Sequence, residues 1–378
     1  TNPDLLEKQT TFLESLISDP YLQVSPILTS LCLNPKEKDE ALFFSRAKLL
    51  RLLGDKFLPD PSKMLTLIFR LILEGEALLE IEEQSKYLAN DTFVTLGKSK
   101  EVVDELTLAI KTLILKIPNE KIYEWQEYSQ ELYKDCLSKD KIGVYIVFMS
   151  EFIHHPKFQA DLYTDMHVRN ICNYVGTEDK ELLKKVVDCL ESGTKMSNDP
   201  EHNEEVLHRE WQNAVVKYAS RQIEDKMGID EDDETYDLDT LLILEDSRSV
   251  GVLINIFLNT LLYGRVQNRA GAAFLIGIIG KFSPVDCYKK YAIKMSGGLV
   301  RIANDKFDED LKVAIFRAIR RMFEKSGKLL RPMVAPLKTT FNQYAKNEAN
   351  LSEEVKEERT KLKQVVESLF AKKAKNSK

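Results

Sequence analysis

Apolar residues recur three and four positions apart through almost the whole chain, in segments of about fifteen to twenty residues divided by short connectors. Segments of this kind fold as amphipathic helices. A lone helical hairpin cannot bury its apolar face, so neighbours must stack into a continuous core. Gly and Pro number only 15 and 12 in 378 residues, too few for the frequent turns of an all-strand chain. No alternating strand pattern stands out. These features predict an all-α, HEAT/armadillo-like helical-repeat solenoid, a class built from helix pairs of roughly 40–47 residues. A compact all-helical domain pair is the competing arrangement.

In order, Pro3-Asp4 opens a first helix with Leu6, Thr10, Leu13, Leu16 and Ile17 on one face, and Ser25-Pro26 starts a second. A third runs over 35–54 to a stop at Gly54. Asp60-Pro61 then opens MLTLIFRLILEGEALLEI, apolar almost all round and expected inside the stack. Residues 86–98 are less regular. Helices are predicted over 99–115, 119–137 and 140–153, parted by Pro118 and His155-Pro156, because Pro lacks the N–H of a continuing helix. Further helices span 161–175, 177–193 (Thr177 as N-cap) and 201–227.

Composition then changes. Residues 224–246 are dense in acids and read as a loop or insertion; DEDDETYDLD lacks the Gly of an EF-hand loop. Helices resume over 247–262, 264–282, 283–303, 307–325, 330–345 and 352–370, before the tail AKKAKNSK. The last helix gathers Val355, Leu362, Val365, Val366, Leu369 and Phe370 on one side, so it should pack. The chain thus divides into 1–223, 224–246, 247–345 and 346–378.

Little chemistry can be read. No GxxxxGK[ST], GxSxG or HExxH occurs, so neither an enzyme, a cofactor nor a small-molecule substrate is expected. Five scattered cysteines form no CxxC pair and read as reduced, buried thiols. His154, His155, His167 and Cys172 cluster, but at no common metal-ligand spacing. No apolar run reaches the roughly eighteen residues of a membrane span, and Ile254–Leu262 is interrupted by Asn255 and Asn259. The first residue is Thr1 and no signal-peptide pattern follows, so a fragment or processed product is expected, and the reduced thiols suit a cytosolic or nuclear protein.

What remains is binding. Against a net charge of −6, one stretch from Tyr288 to Phe341 is strongly basic. Its cations include Lys289, Lys290, Lys294, Arg301, Lys306, Lys312, Arg317, Arg320, Arg321, Lys325, Lys328, Arg331 and Lys338. Leu311, Ile315, Ala318, Ile319 and Met322 form its buried stripe, with Arg317, Arg320 and Arg321 expected to point elsewhere. A cationic surface on an acidic protein suits an acidic partner, protein or RNA. The scarcity of interleaved aromatics disfavours nucleic acid.

The same stretch carries an ordered set of motifs. Gly297-Gly298-Leu299-Val300-Arg301-Ile302 is followed by Asp305-Lys306-Phe307, Lys312-Val313-Ala314-Ile315 and Lys325-Ser326-Gly327. Then come Leu330-Arg331-Pro332 and Leu337-Lys338-Thr339-Thr340-Phe341. Upstream lie Val250-Gly251-Val252-Leu253 and the run 267–273, QNRAGAA. Together they resemble the general-control translational activator family, very large HEAT-repeat activators of the initiation factor 2 alpha kinase. The resemblance covers roughly 247–345.

It implies a scaffold that binds ribosomes and docks the RWD domain of that kinase, with other RWD-containing regulators competing. Arg301 stands where the family has an arginine implicated in docking. Arg331 and Met333 align with its basic-Pro-aromatic segment, and Lys306, Lys312, Arg317 and Lys338 complete the expected partner-binding set. Departures are Gly298 for Pro, Met333 for Phe and Ala335-Pro336 for Pro-Gln; Met333 either alters the docking surface or fills the same core position. A salt bridge to Asp305 at i+4, or to a neighbouring repeat, is the structural alternative for that arginine. A solenoid for RNA or ribosome binding, or for nuclear transport, is the alternative function. The opposite charges also allow the acidic loop to mask the basic edge.

Overall fold

The computed structural model describes residues 8, 43–48, 50–51, 60–79, 92–95, 99–195, 204–227, 241–303, 308–346, 349 and 351–371. The predicted first two helices apart from Lys8, most of the third, the acidic run 228–240, Lys306 and the tail 372–378 lie outside the described residues. Contacts divide the chain into two compact units. One holds residues 1–158 and 197–202; the other holds 159–196 and 203–378. The contact boundary therefore falls near 158, away from the compositional break at 224–246.

In the first unit, α1 (Pro61–Glu74) buries residues on most sides, as its continuous apolar run predicts. Asp60 caps it, accepting from the Ser62 N–H at 2.9 Å. The helix does not continue through EALL. Gly75 adopts φ 82°, a left-handed cap whose N–H bonds Leu71 O, and that reversal ends the helix. Glu76–Leu79 becomes β1, antiparallel to β2 (Thr92–Thr95) with Glu76 opposite Thr95. This hairpin corrects the expectation of a chain without strands. Helices α2 (Lys100–Ile114), α3 (Ile122–Ser138) and α4 (Ile142–Phe152) complete the unit. Phe69, Trp125 and Phe148 meet at its centre, and Trp125 Nε1 donates to Ser62 Oγ at 3.1 Å.

The second unit is a double row of helices. Its elements are α5 (Ala160–Cys172), α6 (Lys180–Ser192), α7 (Glu204–Met227), α8 (Ser247–Tyr263), α9 (Val266–Phe282) and the single turn α10 (Val285–Tyr288). There follow α11 (Ala292–Ala303), α12 (Glu309–Ser326), α13 (Val334–Lys346) and α14 (Glu353–Ala371). One row runs α5, α7, α9, α12, α14, each packed on the next; the other runs α6, α8, α11, α13. Helix pairs repeating so that each contacts its neighbours is the helical-repeat solenoid order predicted from segment and linker lengths.

Local details differ from expectation. Asp179, not Thr177, caps α6, accepting from the Glu181 and Leu182 N–H groups. The predicted helix 283–303 is split into α10 and α11. The acid-rich segment 224–246 is not all loop: its start belongs to α7, and Ile243 and Leu244 are buried in a 3-10 turn. Asp246 then caps α8; bonds from the Ser249 N–H and hydroxyl, both 2.7 Å, hold its carboxyl below the usual range. Cys136, Cys172, Cys189 and Cys287 are buried free thiols, and burial pushes Cys136 up to about 12.

Candidate partner-binding surface

The basic stretch folds as α11, α12, a 3-10 turn over Arg331–Met333, and α13. On α11, the inward side is Ala292, Met295, Ser296, Leu299, Val300, Ile302 and Ala303. That arrangement leaves Arg301 in solvent in the last turn, where a cation complements the helix dipole. Gly298 lets α11 sit close to α8: a methyl there would come within 3.1 Å of Leu258. At the end of α11, the Ala303 carbonyl accepts from the Tyr344 hydroxyl of α13, and Tyr344 also meets Phe316 of α12 edge-on at 5.2 Å. These contacts fix the three helices around one corner.

The 3-10 turn packs on both α11 and α13. Its Arg331 is exposed, while Met333 is only 7% exposed and lies in the core. Lys338 on α13 is exposed and Lys312 on α12 is half-buried. Arg301, Arg331 and Lys338 therefore stand on elements that pack against one another, and all three face water. Among the described residues Arg301 has no ion pair; Asp305, its suggested partner, lies outside them, as does Lys306.

Arg317 is placed differently. Its guanidinium lies 3.4 Å from Glu358 and 3.7 Å from Glu354, both on α14. Arg320 pairs with Glu358 at 3.4 Å and with Glu324 at 3.1 Å. Arg321 is buried with its guanidinium 5.7 Å from the Phe274 ring centre. Arg320 and Arg321 thus depart from the expectation that they point away from the stack; α14 and α9 cover them. α14 packs through Val355, Leu362 and Val366, which are buried; of the rest of the expected stripe, Val365 and Phe370 are half-buried and Leu369 is 40% exposed.

Glu358 was not singled out in the sequence, although a signal exists. It falls on the same face as Val355, Leu362 and Val366, a carboxylate within an apolar stripe, and it is 3% exposed. Such a charge needs a buried partner, and Arg317 with Arg320 supplies it. Lys289, by contrast, is an ordinary surface group: it pairs with Asp286 at 2.8 Å in full solvent, a contact of little energetic weight.

The second unit also carries clefts. One of about 270 Å³ lies between Phe274, α12 and Glu354. The other, about 520 Å³, lies between α6 and the start of α8, away from the basic surface. No described helix is long and apolar enough to cross a membrane.

No family model matches the chain. Part of it is similar to curated proteins. It is 31% identical over 94 residues to the eIF-2-alpha kinase activator GCN1 of Saccharomyces cerevisiae. It is 30% identical over 94 residues to the protein ILITYHIA of Arabidopsis thaliana, and 24% over 96 residues to the stalled ribosome sensor GCN1 of Homo sapiens. Each match takes in 25% of this chain and 4% of the relative's length. Among solved structures, an engineered protein aligns over 97% of this chain and 86% of its own, with 12% identity and a TM-score of 0.34. Kap121p bound to Nup53p aligns over 100% and 43%, with 11% identity and a TM-score of 0.33. Likenesses that loose carry no argument. A quarter of the chain is thus similar to the GCN1 proteins, within an all-α helical-repeat solenoid.

Proposed function

We propose that the chain is a non-catalytic binding scaffold that docks the RWD domain of the initiation factor 2 alpha kinase, with residues 247–345 as the docking block. In this reading it promotes kinase activation on ribosomes, in the cytoplasm, under amino-acid starvation, and other RWD-containing regulators compete for the same surface. The observation that carries it is Arg301, exposed at the end of α11 beside the Arg331 turn, in a chain similar over a quarter of its length to a yeast kinase activator. Arginine suits the role, since its planar fork pairs carboxylates and it is enriched at binding hot spots.

Arg301 is the anchor, with Arg331 and Lys338 on the elements packed beside it and Lys312 on α12; Lys306, outside the described residues, joins the set on its sequence position alone. Met333 supports the Arg331 turn from the core. Arg317, engaged by Glu354 and Glu358, is secondary in this surface.

The test is titration of the full chain with the RWD domain of the matching kinase. Arg301→Ala is expected to weaken binding by about a hundredfold, near 2.7 kcal/mol, with the far-ultraviolet helical signal unchanged. Unchanged affinity removes the reading. Tight RNA binding with a steep salt dependence, and no RWD binding, selects the nucleic-acid alternative instead.

A further inference from the structure

Two asparagines interrupt the apolar run of α8, and both stand in water. Asn255 and Asn259 lie one turn apart on its outer face. Neither amide bonds to another described residue. Beside them runs α11. A methyl at Gly251 would come within 3.0 Å of the Tyr291 hydroxyl, and one at Gly298 within 3.1 Å of Leu258 and 4.0 Å of Leu261. These contacts follow one another in the same direction along both helices. α8 and α11 are therefore parallel neighbours, and Asn259 comes level with Gly297.

Gly297 is the unusual member of α11. Gly298 is small because Leu258 lies against it. At Gly297 a methyl would meet no described atom within 4 Å. Glycine weakens a helix interior, and no packing among the described residues asks for it here. Ile293 and Arg301 lie one turn before and one turn after it, on the same face. Ile293 is 42% exposed, and Arg301 is exposed with no ion pair among the described residues. The face thus sets an apolar side chain, a patch of bare helix backbone and a cation in one line, with two free amides alongside.

An asparagine amide carries donors and an acceptor together, the complement of a peptide group. A helix has already used most of its N–H and C=O groups internally, whereas an extended segment still offers them. The missing side chain at Gly297 lets such a main chain come close. At the end of the line the planar fork of Arg301 suits a carboxylate.

We propose that Gly297 and Asn259 determine specificity at the Arg301 surface. The docked RWD domain lays an extended acidic segment across α8 and α11, with its main chain over Gly297 and bonded to the Asn259 amide, and its carboxylate on Arg301. This rests on the RWD reading above and adds the form of the partner's docking segment.

The test runs titration of the full chain with the RWD domain beside urea unfolding followed through Trp211 in a Trp125→Phe background. Gly297→Gln is expected to weaken binding about tenfold, while the urea midpoint holds or rises because glutamine is the better helix residue. Asn259→Ala is expected to weaken binding about fivefold, the worth of one hydrogen bond, again with no fall in midpoint. Hydrogen exchange on the bound RWD domain should show protection in a non-helical acidic segment. Wild-type affinity in either variant, with Arg301→Ala still weakened, overturns this proposal and leaves the RWD reading standing. A binding loss matched by a lower midpoint places the residue in the fold and also overturns it, as does protection confined to a helix of the RWD domain. A wild-type chain that does not bind the RWD domain overturns the RWD reading and this proposal together.

Discussion

Arg320 donates from Nε to Glu358 at 3.4 Å, and the two side chains, thirty-eight positions apart, are almost wholly withdrawn from water. Removing one member leaves the other charge buried. Glu358→Ala is expected to destabilise the second unit by about 3 kcal/mol. Arg320 keeps Glu324 and Arg317 keeps Glu354, which holds the loss at that lower end. Replacing both by leucine should recover most of it. The chain has two tryptophans, so urea unfolding followed through Trp211 in a Trp125→Phe background reads this unit alone.

Gly277 brings α9 against α12. A methyl there would stand 2.8 Å from Ala318 Cα and 3.0 Å from its Cβ. The obstacle is backbone, so the helices must part. Gly277→Val is expected to cost about 1–3 kcal/mol by overpacking. Ala318→Gly should restore only part of that, because the closer obstacle, Cα, remains. The same Trp211 transition measures both.

Gly75 stops α1 with φ 82°. Gly75→Ala forces a Cβ into the left-handed region, at about 1–2 kcal/mol, and Gly75→Asn should cost less. Trp125 fluorescence in a Trp211→Phe background reports the first unit.

His167 gives the second unit a pH dependence. Burial alone lowers its pKa from the ordinary 6.5 to about 3, so the folded ring is neutral. Between those values the unfolded chain binds a proton that the folded chain refuses. The stability is therefore complete above 6.5 and is lost as pH falls toward 3. From pH 8 to 5.5 the loss is about 1.4 kcal/mol from this residue. His167→Gln should flatten the Trp211-detected profile over that range; an unchanged slope would count against the burial argument.

The helical segments were legible because periodicity and connectors are local properties. Leu311, Ile315, Ala318, Ile319 and Met322 are all in the core, as their spacing requires. So are Val355, Leu362 and Val366. What was not legible depends on partners distant in sequence. Arg320 and Arg321 read as solvent-facing because charge is normally solvated, and Glu358 and Phe274, on other helices, help make their burial tolerable. The hairpin was hidden because EALL extends an apolar helical run, and one glycine conformation redirects it. Thr177 and Asp179 both fit an N-cap, and the choice rests on geometry two residues wide. At the candidate surface, the exposure of Arg301 follows from α11 spacing, but the inward Met333 depends on how the 3-10 turn seats.

The close approach at Gly277 has a mechanical consequence. Where backbone meets side chain at van der Waals range, two helices cannot slide without climbing over one another. The α9–α12 joint is therefore stiff, and the helices on either side of it move as one block. In a row where each helix chiefly touches its neighbours, deformation gathers where there is slack. The α6–α8 joint, with its cleft of about 520 Å³, is such a place.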